Sequence, residues 1–189
     1  HALSAAEVRP LAGLVNSAPT VASGVSANPA PVTAYTTTLN VLGADDAGEA
    51  NCTYTWDVMG SAPAPVNFNV NGINLAKQTI ATFLSPGSYS IQCTIRDSGN
   101  LAVTSSLVVT VPQTYSGTRV SPDTAFLVPS ATQAFTATAL NQFFNPMSPN
   151  PTYAWSVNGG GTINASGMFT ASATARGPFS VTATSGTMI

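Results

Sequence analysis

Ser85-Pro86-Gly87-Ser88-Tyr89-Ser90-Ile91-Gln92-Cys93-Thr94-Ile95-Arg96-Asp97-Ser98-Gly99-Asn100 is the stretch that decides how this chain folds. After the Pro-Gly turn, apolar and polar side chains alternate, and this period of two predicts a β-strand with one face on a core. Asp97 and the Ser-Gly-Asn that follows it have turn chemistry, and residues 101–111 are predicted to be the return strand. The stretch therefore predicts an antiparallel hairpin with one buried face.

More short strands are predicted before this hairpin. They lie at residues 19–27 (an edge strand), 36–42, 52–58, 66–70 and 77–83. Seven strands in about 95 residues, separated by turn signals, are what an immunoglobulin-like β-sandwich requires. The first 17 residues have a different pattern, because Ser4-Ala5-Ala6-Glu7 fits a capping box and Pro10 limits any helix to one or two turns. We expect residues 1–17 to be a short helical turn or a docking strand.

The strand pattern restarts after a linker at residues 112–114. Strands are predicted at residues 119–122, 125–128, 133–140, 152–157, 167–170 and 178–184. Tyr54-Thr55-Trp56 returns as Tyr153-Ala154-Trp155, and the offset of 99 residues is the length of one sandwich domain. The sequence therefore predicts an all-β chain of two tandem immunoglobulin-like antiparallel β-sandwiches, at residues 18–112 and 113–189.

The predicted second sandwich lacks most of its last strand. A turn and a final strand of about six residues are expected after residues 178–184, but the sequence stops at Ile189. We expect the strand to continue beyond this sequence or to be supplied by a neighbouring subunit, since an open sheet exposes unpaired backbone groups.

Both predicted domains resemble known repeat families. Tyr54-x-Trp56-Asp57 and Pro86-Gly87-x-Tyr89-x-Ile91-x-Cys93-x-Ile95-x-Asp97 resemble the polycystic-kidney-disease (PKD) repeat and related cadherin-like modules. The second domain is similar to bacterial immunoglobulin-like (Big) repeats, through Val120-Ser121-Pro122, Gln133–Ala137 and Trp155-Ser156-Val157. These resemblances imply secreted spacers, adhesive stalks or appendages of larger enzymes, and a family name by itself assigns no catalysis.

The chain carries very little charge. Charged residues are 6% of it and the net charge is −2, whereas ordinary soluble domains are about 25% charged. A surface coated with uncharged polar residues is typical of secreted and surface-displayed β proteins. The absence of a basic field argues against nucleic acid as a partner, and no apolar run approaches the roughly 18 residues of a membrane span. We therefore predict a secreted or cell-surface protein.

No catalytic constellation is evident in the sequence. The only histidine is His1, so an internal Ser/His/Asp or Cys/His arrangement cannot form. No carboxylate pair stands at glycosidase-like positions, and the chain is predicted not to be an enzyme.

The two cysteines are Cys52 and Cys93, both in core-facing positions on strands that become neighbours in an immunoglobulin-like sheet. We predict a disulfide between them, which would stabilise the fold by a few kcal/mol. The alternative is a pair of buried free thiols that act as small apolar side chains.

Four acidic residues are placed near one pole of the first predicted sandwich. They are Asp45, Asp46, Glu49 and Asp97. Oxygen ligands in this number suit Ca²⁺, which would complete its shell with carbonyls and water. The spacing is not that of an EF-hand, and the simpler interpretation is a solvated loop whose Asp side chains cap turns.

Other candidate surface sites are two glycosylation sequons and an aromatic pair. Asn51-Cys52-Thr53 and Asn164-Ala165-Ser166 are sequons, which are used only where the source glycosylates asparagine. Phe143 and Phe144 are hard to bury together, so one of them is predicted to be an exposed contact residue.

We therefore predict a non-catalytic extracellular structural or adhesive module: a stalk, a spacer or a filament subunit that assembles by strand complementation. Its partners would be other subunits or neighbouring domains, with glycans as a further class. The alternative is a carbohydrate-binding or spacer accessory domain of a larger secreted hydrolase. Apart from Ca²⁺, no cofactor is expected.

Overall fold

The computed structural model describes residues 15–174 and 176–186, which form antiparallel β-sheets. Contacts divide the chain into a first unit, residues 1–112, and a second unit, residues 113–189. The helical segments described are short 3₁₀ turns, Glu49–Asn51 and Asn74–Lys77, and none of the described helices could span a membrane. The predicted all-β class is confirmed. Residues 1–14 of the segment predicted to be a short helical turn or docking strand (residues 1–17) lie outside the described residues.

The first unit contains seven strands in two antiparallel sheets. The strands are β1 (Thr20–Asn28), β2 (Thr36–Ala44), β3 (Thr53–Met59), β4 (Asn67–Phe68), β5 (Gln78–Thr82), β6 (Gly87–Arg96) and β7 (Ala102–Val111). One sheet has the order β1-β2-β5-β4 and the other β3-β6-β7. Leu39 from the first sheet and Trp56 from the second are both buried, so the core lies between the sheets.

Strand β6 has the predicted alternation along its whole length. Tyr89, Ile91, Cys93 and Ile95 are all 0% exposed. Ring packing of Phe83 on Tyr89, with centroids 4.8 Å apart, joins β6 to the end of β5. The hairpin to β7 pairs ten residues, from Gly87 opposite Val111 to Arg96 opposite Ala102. The predicted hairpin is confirmed.

The described residues of the second unit also form seven strands, most of which are shorter. They are β8 (Tyr115–Ser121), β9 (Thr132–Ala134), β10 (Thr136–Asn141), β11 (Tyr153–Val157), β12 (Gly161–Ile163), β13 (Met168–Ala171) and β14 (Val181–Ser185). Strand β10 pairs with β8, β13 lies between β12 and β9, and β11 pairs with β14. Phe135, Ala139 and Phe169 are the larger part of its buried apolar core.

Several predicted strands differ from the observed ones. The predicted strand at residues 125–128 is wrong, because this segment pairs with no strand and Phe126 is 100% exposed. The predicted strand at residues 133–140 is two strands, since the chain changes partner at Phe135 from β13 to β8. The predicted strand at residues 66–70 shrinks to β4.

Strand β12 was not predicted, because Gly159, Gly160 and Gly161 suggest a flexible turn. In the structure Gly161 begins β12, and a Cβ atom there would lie 2.0 Å from the carbonyl oxygen of Thr170. Glycine is required at this position because β12 and β13 approach too closely for any side chain.

Candidate functional site

The second unit contains a groove of about 710 Å³ with a mixed apolar and polar lining. We call it the β14 groove. One wall is the segment 122–127, and the other is the segment 177–181 that leads into β14. Phe135 and Phe169 lie at its base, so the groove opens directly onto the core of the unit.

The first unit shows what normally occupies this position. Trp56 of β3 pairs with Cys93 of β6, and Trp155 of β11 pairs with Ala183 of β14, so β14 is the counterpart of β6. On its other side β6 pairs with β7, with Cys93 opposite Ser105. In the described part of the chain β14 pairs with β11 alone. No described strand therefore takes the place of β7 beside β14.

The wall formed by the segment 122–127 also differs from its counterpart in the first unit. In the first unit, Val32 in the connection between β1 and β2 donates its backbone N–H to the carbonyl oxygen of Thr110 in β7 at 3.0 Å. Val32 is consequently 0% exposed. In the second unit the connection from β8 to β9 leaves Phe126 fully exposed and Val128 71% exposed. Among the described residues, neither wall contacts a counterpart of the strand that lies between them in the first unit.

The inner face of β11 and β14 is less covered than that of β3 and β6. Trp56 is 2% exposed and donates its indole N–H to the carbonyl oxygen of Ala76 at 2.7 Å, as a core anchor. Its counterpart Trp155 is only half-buried, as are Val157 and Val181. The two units therefore contain the same Tyr-x-Trp strand in a closed core and in an open one.

The turn before β14 is shaped by the glycines opposite it. Phe179 is 41% exposed, and its ring lies against the backbone of Gly159 and Gly160. A Cβ atom on Gly160, whose φ is +75°, would lie 2.1 Å from that ring. These glycines allow Phe179 to form the rim of the β14 groove.

The predicted disulfide is not formed. Cys52 and Cys93 are free thiols, 1% and 0% exposed. Both face the core of the β3–β6 pair, but Cys93 lies opposite Trp56, four residues along the strand from Cys52. At about 3.3 Å per residue this separates the cysteines by roughly 13 Å, about twice the Cα separation that a disulfide tolerates. The alternative of two buried thiols is the correct one.

Glu49, one of the four predicted calcium ligands, is the centre of a hydrogen-bond network. The ammonium group of Lys77 lies 3.0 Å from its Oε2, and the Tyr54 hydroxyl donates to its Oε1 at 2.8 Å. The Asn74 amide donates to Oε1 at 3.0 Å and also to the carbonyl oxygens of Glu49 and Cys52. This network joins the two 3₁₀ turns. The positive charge of Lys77 balances the negative charge of the Glu49 carboxylate.

The other three acids have separate partners. Asp97 is 5% exposed and accepts from Asn16 at 2.9 Å and from the backbone N–H of Leu101 at 2.8 Å. Asp46 accepts the backbone N–H of Ser17, and Asp45 accepts that of Ala47. No group of three or more His, Cys, Asp or Glu side chains within the described ranges could hold a metal ion. The predicted four-carboxylate calcium site is therefore not assembled, and these side chains close turns instead.

The sequons and the aromatic pair lie at the surface. Asn51 and Asn164 are exposed, and the side chain of Asn164 accepts from Ser166 and Met168 within its turn. Phe144 is 72% exposed and Phe143 is half-buried, so the member of the pair that reaches solvent is Phe144. Glycosylation at these asparagines and a contact role for Phe144 stay predictions.

The sequence did not predict the walls of the β14 groove. It did predict an incomplete sheet after residues 178–184, where the groove lies. The missing last strand after residues 178–184 was the available signal. Residues 125–128 were predicted to be a strand because they are apolar, and nothing in their sequence shows that they pair with no described strand.

No protein-family model and no curated protein matches the sequence. Among solved structures it is similar to the S-layer protein rSbsC(31-844), at 16% identity and a TM-score of 0.30, over 91% of this chain and 27% of that one. Domains 1–6 of surface layer protein SbsC match at 16% identity and a TM-score of 0.31, with the same coverage. Domains 4 and 5 of SbsC match at 15% identity and a TM-score of 0.30, over 89% of this chain and 94% of that one. The chain thus spans about a quarter of the first two structures, and we base no functional inference on similarity at this level.

Proposed function

We propose that the chain is a non-catalytic structural or adhesive module of a secreted or cell-surface protein, whose second unit is completed by a β-strand added along β14. The observation that carries this proposal is the β14 groove, which lies where the first unit has β7. The PKD-like and Big-like resemblances of the two halves support a spacer, stalk or filament role.

Strand addition is the mode of binding that suits this groove. The outer edge of β14 offers backbone N–H and C=O groups in the spacing of a β-ladder, and an added strand satisfies them. Alternate side chains of that strand would cover Val157 and Val181, which are half-buried and line the groove. Backbone pairing and apolar burial would therefore act together.

The composition supports an extracellular location. With 6% charged residues, the surface relies on uncharged polar side chains, and its solubility does not depend on a high net charge. The single histidine is at position 1, which leaves no internal imidazole for acid–base chemistry.

A peptide with the sequence of β7, residues 101–112, tests the proposal. We expect a labelled peptide to bind the full chain saturably in fluorescence anisotropy. A control peptide with Val109→Asp and Val111→Asp should bind at least ten-fold more weakly. Absence of saturable binding would overturn strand completion.

A further inference from the structure

We propose that Asn158 is a site of spontaneous deamidation in the folded chain, and that the fold protects Asn71 from the same reaction. These are the two asparagines of the sequence that precede a glycine, Asn71 before Gly72 and Asn158 before Gly159. The modification is independent of strand addition along β14.

The reaction needs only the Asn-Gly pair and water. The backbone nitrogen of the glycine attacks Cγ of the asparagine and forms a C–N bond, and Nδ2 leaves as ammonia with the proton that the glycine nitrogen gives up. The product is a cyclic succinimide. Water then opens one of its two carbonyls, which yields either aspartate or isoaspartate. Glycine favours the attack because it has no Cβ to hinder the approach of its nitrogen.

At Asn71 both the side-chain amide and the attacking nitrogen are engaged. Oδ1 of Asn71 accepts the backbone N–H of Trp56 at 2.7 Å, and Nδ2 donates to the carbonyl oxygen of Trp56 at 2.9 Å. The N–H of Gly72 donates to the carbonyl oxygen of Tyr54 at 2.8 Å. Attack requires the Gly72 nitrogen to leave Tyr54 and the amide to turn away from Trp56. Hydrogen bonds that join this turn to β3 must therefore break before the succinimide can form.

At Asn158 the hydrogen bonding is different. Oδ1 of Asn158 accepts the backbone N–H of Ser180 at 2.7 Å. Neither Nδ2 of Asn158 nor the N–H of Gly159 has a hydrogen-bond partner among the described residues. The donor on Oδ1 polarises the carbonyl, and it is already in place for the negative charge that develops on this oxygen during attack. The leaving nitrogen and the attacking nitrogen are both available, and the electrophile is activated.

Solvent exposure does not distinguish the two sites, because Asn71 and Asn158 are both exposed. Nor does the backbone, since Gly72 and Gly159 both have a positive φ, +76° and +146°. The contrast lies in the hydrogen bonds of the amide and of the glycine nitrogen, and it assigns the reaction to Asn158.

The two products should affect the turn before β14 in opposite ways. The backbone N–H of Asn158 donates to the carbonyl oxygen of Ser180 at 3.2 Å, so this residue is joined to Ser180 twice. Aspartate keeps an oxygen at the position of Oδ1 and gives the Ser180 N–H a charged acceptor. Isoaspartate adds a methylene to the main chain and draws the former side-chain carbonyl into the backbone. That carbonyl moves away from Ser180, and Gly159 and Gly160 move away from the ring of Phe179 that lies against them.

Ageing of the full-length protein at pH 8 tests the assignment. Wild type kept folded and wild type unfolded in guanidinium chloride are sampled over time and digested at acid pH. Liquid chromatography with mass spectrometry then separates the asparagine, aspartate and isoaspartate forms of each peptide. In the folded protein we expect Asn158 to deamidate at least ten-fold faster than Asn71, and in guanidinium chloride the two rates should agree within three-fold. Asn158→Gln should remove the fast reaction and leave the rate at Asn71 unchanged.

Hydrogen exchange followed by NMR tests the effect on the turn. The amide of Ser180 should exchange at least ten-fold faster in the isoaspartate fraction than in fresh protein. The amide of Gly72, which is bonded to Tyr54, serves as the internal reference and should not change. Freshly purified Asn158→Asp is the matched control, because it should keep the Ser180 amide as protected as in the wild type.

Three results would overturn the proposal. Equal rates at Asn71 and Asn158 in the folded protein would show that hydrogen bonding does not select the site. An intact Asn158 in the folded chain, together with its rapid deamidation in guanidinium chloride, would show that the bond to Ser180 protects it. Unchanged exchange of the Ser180 amide in the isoaspartate fraction would contradict the predicted opening of the turn.

Discussion

The hydroxyl of Tyr54 donates to the carboxylate of Glu49 at 2.8 Å, and the oxygen of that hydroxyl accepts the backbone N–H of Gly43 at 3.0 Å. Tyr54 is 0% exposed and lies on β3, Gly43 lies on β2, and Glu49 is in the first 3₁₀ turn. One phenol therefore links both sheets of the first unit to the loop between them. Burial is the main cause that raises the pKa of Tyr54 to about 12.

Removal of this hydroxyl should destabilise the first unit. Tyr54→Phe keeps the ring but leaves the N–H of Gly43 without its partner in the core, so we expect the free energy of unfolding to fall by about 1–2 kcal/mol. Urea denaturation followed by fluorescence measures it. In a double-mutant cycle with Glu49→Gln the two effects should be less than additive, and strict additivity would contradict a shared network.

The stability of the first unit should fall in acid partly through Glu49. Burial raises the pKa of this carboxyl, but hydrogen bonds from Lys77, Tyr54 and Asn74 outweigh burial and hold the pKa below its ordinary value of 4.5. A lowered folded-state pKa contributes stability above about pH 4.5 that is lost as the pH falls through the folded value. Urea midpoints between pH 6 and pH 3 should therefore decline more steeply for the wild type than for Glu49→Gln. Parallel declines would show that the network does not favour the ionised form.

Gly43 should not tolerate a side chain. A Cβ atom there would lie 2.8 Å from Cγ2 of Ile95 and 3.3 Å from the Tyr54 hydroxyl, so Gly43→Ala must displace buried groups. We expect a loss of about 1–3 kcal/mol in chemical denaturation. Gly24→Ala is the matched control on β1, since its Cβ would meet only Oγ of Ser105 at 3.7 Å. Equal effects of the two substitutions would contradict the packing at Gly43.

The cysteines should be unreactive while the chain is folded. Burial raises the pKa of Cys93 to about 12, and burial together with Asp45, Glu49 and Asp97 raises the pKa of Cys52. Because the thiolate is the reactive form, we expect no reaction with Ellman's reagent at pH 8 and two thiols per chain after denaturation. Dithiothreitol should leave the Tm unchanged. A Tm that falls on reduction would support the disulfide.

The alternation of β6 was predictable because each residue of that strand faces either the core or solvent. The same reasoning failed for Cys52 and Cys93, since alternation gives the face of a residue and says nothing about the register of paired strands. A one-step shift in pairing moves a side chain by more than a disulfide can tolerate, and register depends on contacts that are distant in sequence.

The groove was predictable in part. The missing last strand follows from counting strands after Trp155, but the exposed wall at Phe126 does not. An apolar run predicts burial when a partner strand is present, and the segment of Phe126 pairs with no described strand. The network around Glu49 was also out of reach, because Lys77 and Asn74 are more than twenty residues away and meet Glu49 only through the second 3₁₀ turn.

The free edge of β14 has one consequence for how the molecule behaves in solution. The strand reads Val-Thr-Ala-Thr-Ser, with no charged residue and no proline, whereas edge strands of soluble proteins are commonly guarded by lysine or proline. Electrostatic repulsion therefore does not keep two such edges apart, and screening by salt has little to act on. Dilution, and not ionic strength, should therefore be what keeps two such edges apart.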